Sequence, residues 1–238
     1  VVIRGVRTTA DFYQNGLRDD VQYYRSLYNV EQVEVLKGPN ALLFGRGGTG
    51  GLINRVSKKA LIGETFTNMN VGFDSFGAGD FAVDGNIEVN DSAAFRLMVH
   101  SDSLANHRDQ YDGDRFGINP TMTFAVNSET EIGLSFEYLD HERYIDRGIP
   151  TSIIGGASTS ASRPVDALNH ITYGTDGNVH TTEASILTGT LVHNYSDSGK
   201  INLTVSSNDF NKMYQNLYVN SYDGTNVQLK GYNDVTLR

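Results

Sequence analysis

Gly45-Arg46-Gly47-Gly48-Thr49-Gly50 satisfies G-x-G-x-x-G, a spacing that lets backbone wrap a pyrophosphate. That chemistry needs a helix to open at the last glycine, because the helix N-terminus holds the phosphate. The next residues, Gly51-Leu52-Ile53-Asn54-Arg55-Val56, form a β-like run with no helical stripe and no parallel βαβ unit after it. The glycines therefore read as a loop needing positive φ. The histidines at 100, 107, 141, 170, 180 and 193 are scattered, and no two stand at metal-ligand spacing on one element. His141-Glu142 lacks the second histidine of a zinc protease motif, and no Gly-x-Ser-x-Gly nucleophile elbow occurs. Carboxylates are plentiful, but no catalytic pair is nominated. An enzyme, a resident metal and a resident cofactor are all unsupported.

The elements that would carry any site are β-rich. Gly is abundant at 25 residues, Pro scarce at 4, and Tyr and Phe number 13 and 11. A net charge of −9 argues against a nucleic-acid surface, which needs clustered Lys and Arg. With no cysteine, neither a disulfide framework nor a thiolate metal site is available. No apolar run reaches the roughly 18 to 20 residues of a membrane helix, which leaves a strand-built membrane protein open. The chain starts mid-pattern at Val1-Val2-Ile3-Arg4-Gly5 and stops within a strand-like run at Val235-Thr236-Leu237-Arg238, so it is expected to continue at both ends.

Residues 1–60 read as a small α+β unit. Short strands are expected at 1–5, at 12–16 (closing on the turn signal Asn15-Gly16), at 30–36 and at 52–59, with one helical turn at 40–44. From residue 61 onward the pattern becomes a meander with period two. Ile132, Leu134, Phe136 and Tyr138 share one face, while Glu131, Gly133, Ser135 and Glu137 share the other. Phe95, Leu97 and Val99, then Phe116, Ile118, Met122 and Phe124, then Ile201, Leu203 and Val205 repeat the scheme. Strands of about 10 to 12 residues are expected, near the length that crosses a bilayer at a tilt. Tight turns at 90–91, 127–128 and 196–199 alternate with long links at 104–114, 142–183 and 218–232. Short turns at one side and long loops at the other is the outer-membrane barrel pattern, which would put Asp91 and Ser198 at the periplasm. A secreted soluble sandwich or solenoid, whose one buried face also gives alternation, is the other reading.

Five blocks in order carry a resemblance: Ile3-Arg4-Gly5; Asn15-Gly16-Leu17-Arg18-Asp19; Tyr28 through Pro39 (YNVEQVEVLKGP); Leu43-Phe44-Gly45-Arg46-Gly47; and Gly50 through Lys59 (GGLINRVSKK). Together they resemble the plug of TonB-dependent outer-membrane receptors of the ferric-siderophore type. The likeness continues more loosely through the later strands, including Asp146-Arg147-Gly148-Ile149-Pro150 and Lys212-Met213-Tyr214-Gln215-Asn216.

The resemblance implies a mainly β protein: the C-terminal half of a plug domain over 1–60, then the first seven or eight strands of a 22-stranded antiparallel transmembrane β-barrel over 61–238. It implies TonB-dependent transport of an iron–siderophore complex across the bacterial outer membrane. The partners would be the siderophore, TonB with its inner-membrane energising complex, and lipid, with no nucleic acid. The same architecture could import haem, cobalamin or an oligosaccharide, and a β-rich surface binding protein is the alternative outside transport. By position in the family, Arg4 and Lys37 would meet barrel-wall carboxylates beyond this chain. Plug apices would contact ligand through Arg7, Thr8, Thr9, Tyr23 and Tyr24, with the link at 142–183 assisting capture.

Overall fold

The computed structural model describes residues 2–3, 5–7, 12–19, 21–37, 50–153, 162–164, 169–222 and 227–237, and every regular element among them is a strand. The expected helical turn at 40–44, and the glycine loop as far as Thr49, lie outside the described residues.

The first part of the chain makes two small sheets. β1 (Val2–Ile3) pairs with β2 (Val6–Arg7) about Gly5, whose φ is 80°. A four-stranded sheet is built from β3 (Phe12–Gln14), β4 (Leu17–Arg18), β5 (Val30–Leu36) and β6 (Leu52–Ser57), in the order β4-β3-β6-β5. β3 and β4 join through Asn15 (φ 52°) and Gly16 (φ 81°), the two left-handed residues a two-residue hairpin demands. β6 lies at the centre, parallel to β3 and antiparallel to β5, so its side chains reach both neighbours.

The second part is one eight-stranded antiparallel sheet. Its members are β7 (Phe66–Phe73), β8 (Gly79–Asn90), β9 (Ala93–Ala105), β10 (Asp112–Asn127), β11 (Thr130–Tyr144), β14 (Val179–Ser196), β15 (Gly199–Tyr222) and β16 (Val227–Leu237). They pair in chain order from β7 at one edge to β16 at the other. β12 (Thr151–Ile153) and β13 (Ser162–Pro164) form a separate hairpin within the link from β11 to β14. Two-residue turns close one end of the sheet, the turn end. The longer connections lie at the other, the long-loop end.

Strand length departs from expectation. β15 runs 24 residues, and the link expected at 218–232 is mostly paired strand, since Tyr222 stands opposite Val227. Past the apolar zone both faces carry Asn, Ser and Tyr, so the ladder continues after the alternation that marks a strand has faded.

The large sheet is inside-out by soluble standards. Leu134, Phe136, Leu187, Leu203 and Val205 are exposed, whereas Asn86, Arg96, Asn119, Thr182, His180 and Lys212 are buried. The buried polar face covers the small sheet of the first part. The opposite face presents a continuous apolar surface, which water disfavours and a lipid chain accepts.

One local device keeps the wall intact where proline interrupts it. Pro120 sits within β10 and has no N–H, and the ladder to β11 lapses between Ile118 and Thr121. Asn119 Nδ2 donates instead to the Phe136 carbonyl at 2.7 Å. Its Oδ1 accepts from Asn29 Nδ2 of the small sheet's leading segment at 3.1 Å. A wall repair thus doubles as a contact with the enclosed unit.

Candidate functional site

The loop from β4 to β5 carries two tyrosines with different settings. Tyr23 is buried and its ring lies 5.4 Å from that of Phe210 on β15. Its hydroxyl donates to Asp19 Oδ2 at 3.2 Å and accepts from Arg55 Nη2 at 3.2 Å. Tyr24 points the other way and is 40 % exposed. Its ring meets His180 edge-on at 4.9 Å and His141 at 5.7 Å, with the Arg143 guanidinium 3.6 Å over its face. A cation that close to a ring centroid is attracted by the ring's negative face, by about 0.5–2 kcal/mol depending on desolvation.

Together the tyrosines floor a cavity of about 420 Å³ at the long-loop end, walled by Arg147, His180, Lys212, Tyr214 and Tyr232. Tyr214 stacks edge-on between His180 and Tyr232, each at 5.8 Å. Lys212, 3 % exposed at its side chain, is held by Asp234 at 2.6 Å. The arrangement offers several aromatic faces and cationic groups with a single neutralising carboxylate, a setting for a flat, electron-rich, anionic guest.

Beneath the tyrosines lies a charged hub. Arg55, on the central strand β6, donates through Nη2 to Asp19 Oδ2 at 2.9 Å and to Gln14 Oε1 at 3.1 Å. Arg25 donates to the same Asp19 oxygen at 2.7 Å and to the Val21 carbonyl at 2.7 Å, and its guanidinium covers Phe12 and Tyr23. Burial works against the Arg55 charge, but Tyr23 and Asp19 hold its pKa above the ordinary value. Burial pushes the Tyr23 phenol well above its usual range, so the hydroxyl stays a donor. Gln14 Nε2 passes the network to Glu137 on β11, at 3.4 Å.

A second set of contacts ties residues 58–64 to β8, β9 and β10. Lys58 and Arg96 share Asp84, at 2.9 and 2.7 Å. Arg96 also donates to the Lys59 carbonyl, and Thr123 to that of Ala60. Asn86 accepts from the Leu61 N–H and donates to the Leu61 and Glu64 carbonyls.

Of the residues expected at a site, Tyr23 and Tyr24 come together at the cavity floor. The backbone of Arg7 lies in β2, while Arg4, Thr8 and Thr9 lie outside the described residues. Lys37 is exposed just past β5. Sequence reading missed the hub of Asp19, Arg25, Arg55 and Glu137, the His141–His180 pair and the Lys58–Asp84–Arg96 clamp. None has a local spacing signal, since Arg55 and Asp19 are separated by 36 residues. The sequence reading left His141 and His180 as scattered residues, and the structure puts them side by side on the polar face. Among the described residues no group of three or more His, Cys, Asp or Glu could hold a metal.

A small sheet filling the polar concavity of an inside-out antiparallel wall defines a plugged outer-membrane barrel. The chain belongs to the TonB-dependent receptor family: residues 1–52 match its plug domain, described as TonB-dependent Receptor Plug Domain, and the wall strands come after it. It is 31 % identical over 223 residues to the probable TonB-dependent siderophore receptor PiuA of Acinetobacter baumannii, covering 91 % of this chain and 29 % of that protein. It is 29 % identical over 213 residues to the catecholate siderophore receptor Fiu of Escherichia coli K12, covering 86 % and 28 %. The chain thus spans under a third of the length of these relatives. In fold it matches the open form of the ferric-catecholate import receptor Fiu from E. coli K12, with a TM-score of 0.87 at 23 % identity, over 98 % of this chain and 38 % of that one. It also matches the ferripyoverdine receptor of Pseudomonas aeruginosa, with a TM-score of 0.81 at 16 % identity, over 98 % and 32 %.

Proposed function

We propose that this chain forms part of a receptor that imports a ferric siderophore across the bacterial outer membrane, driven by TonB. The observation that carries the reading is the aromatic and cationic cavity floored by Tyr24. Ferric siderophores are bulky, often anionic and partly aromatic, and such a guest gains both stacking and charge there. The names of PiuA and Fiu point the same way.

In this reading Tyr24 is the plug's stacking contact, and Arg7, Thr8 and Thr9 supply further donors from a second plug apex. Arg4 and Lys37 pair with carboxylates of strands beyond this chain and hold the plug releasably. The exposed apolar face meets lipid. Competition binding on the complete receptor tests the assignment. Iron-loaded siderophores should displace a labelled iron chelate while iron-free ones do so weakly. Displacement by haem, cobalamin or an oligosaccharide, with none by any ferric chelate, would overturn it.

A further inference from the structure

The inner face of β11, β14 and β15 is stratified along the barrel axis. Register places His141, Thr182 and Lys212 in one row across the three strands. Towards the turn end come Leu139, Ala184 and Phe210, then Glu137, Ile186 and Asn208. Beyond these lie Ser135, Thr188 and Ser206, then Gly133, Thr190 and Thr204. The wall thus passes from charged and aromatic, through an apolar collar of Leu139, Ala184, Phe210 and Ile186 with Glu137 at its edge in the plug's polar network, to small hydroxyls.

The plug fits these strata unevenly. Val21 and Tyr23 complete one buried apolar cluster with Leu139, Ala184, Ile186 and Phe210. On the long-loop side lies the cavity floored by Tyr24. On the turn side a second cavity of about 440 Å³ lies between Asn15, Asn54 and Ser57 of the plug and Thr188, Thr190 and Thr204 of the wall, and its far margin reaches Lys58–Ala60 and the β10 threonines Thr121 and Thr123. Among the described residues the collar thus lies between these two cavities, each large enough for several waters. Past that margin, on β8, β9 and β10, residues 58–64 are stitched to the wall by charge pairs and side-chain-to-backbone bonds.

Narrow apolar collars exclude water and so block polar solutes, whereas hydroxyl-lined surfaces stay wet and bind such solutes weakly enough to release them. We propose that cargo crosses the membrane along β11, β14 and β15, and that Val21 and Tyr23 are the stopper seated in its collar. The proposal rests on the import reading, but its decisive test needs no cargo.

That test is the ion conductance of the complete receptor in planar bilayers. Val21→Ser with Phe210→Ala opens the collar and should raise resting conductance severalfold. Met98→Ala trims a fully buried side chain on the inner face of β9, within the stitched wall, and should leave conductance at the unsubstituted level. An unchanged conductance in the collar variant, or an equal rise with Met98→Ala, overturns the proposal while leaving the import reading intact. A second arm fills the wet stretch with Thr188→Trp and Ser206→Trp. Uptake of the iron chelate should be lost with binding retained, and normal uptake with both tryptophans in place would equally overturn it.

Discussion

Tyr24 and Arg55 show how much one side chain carries here. Tyr24 holds its ring between His180 and the Arg143 guanidinium, so Tyr24→Ala removes a stacking surface and uncovers a cation. On the proposed import reading the loss should weaken binding of the ferric chelate about tenfold, corresponding to about 1.4 kcal/mol, as read by equilibrium titration of the complete receptor. Tyr24→Phe keeps the ring and should bind as before. Arg55 joins β3, β6 and the tyrosine loop through Asp19, Gln14 and Tyr23. Arg55→Met strips Asp19 of one of its two cationic partners and should destabilise the plug by about 3 kcal/mol, measured as a lower urea midpoint for plug unfolding. The family resemblance puts Tyr24 at a plug apex, whereas the part played by Arg55 could not be read from the sequence. Arg55 sits inside the block that identifies the plug, yet its partners are distant in the chain and only folding shows which face it takes.

At the scale of elements, sequence and structure agree where a physical rule acts locally. β5 spans Val30–Leu36 as the alternation indicates, and Asn15-Gly16 closes the β3–β4 hairpin because both residues tolerate positive φ. The rule weakens beyond the apolar zone, and for that reason the end of the β15–β16 hairpin reads as a loop in the sequence. A wall glycine shows the same point in packing terms. Gly117 on β10 looks like one polar-face position among many, but a Cβ there would lie 2.8 Å from the Tyr28 ring. Tyr28, from the segment leading into β5, stacks on His100 at 5.6 Å, and burial pushes its phenol above the ordinary value. Gly117→Val should unseat Tyr28 and expose the 21–29 loop to protease, while the wall strands stay protected. Limited proteolysis in detergent reads that difference.

At the scale of the molecule, the inverted surface governs behaviour. Phe73, Val71, Met69, Ile87 and Val89 continue the exposed apolar face to the β7 edge. The complete receptor should partition into detergent and migrate faster on gels unheated than boiled, because a closed barrel resists unfolding by detergent alone. Identical migration before and after boiling would count against the barrel. This level was the most legible in the sequence, since lipid outside and water inside impose a two-residue period on nearly every strand. The candidate site was the least legible, since it is made where plug loop and wall meet.

The stitching of residues 58–64 to β8, β9 and β10 has a mechanical corollary. A door hung along one jamb does not leave its frame when pulled; it swings from the free side. Tension on the plug should part the margin beside β14 and β15, where Val21 and Tyr23 pack without a charge pair to the wall, before the hinge line at Asp84 and Asn86, which keeps the panel attached and able to fall shut again.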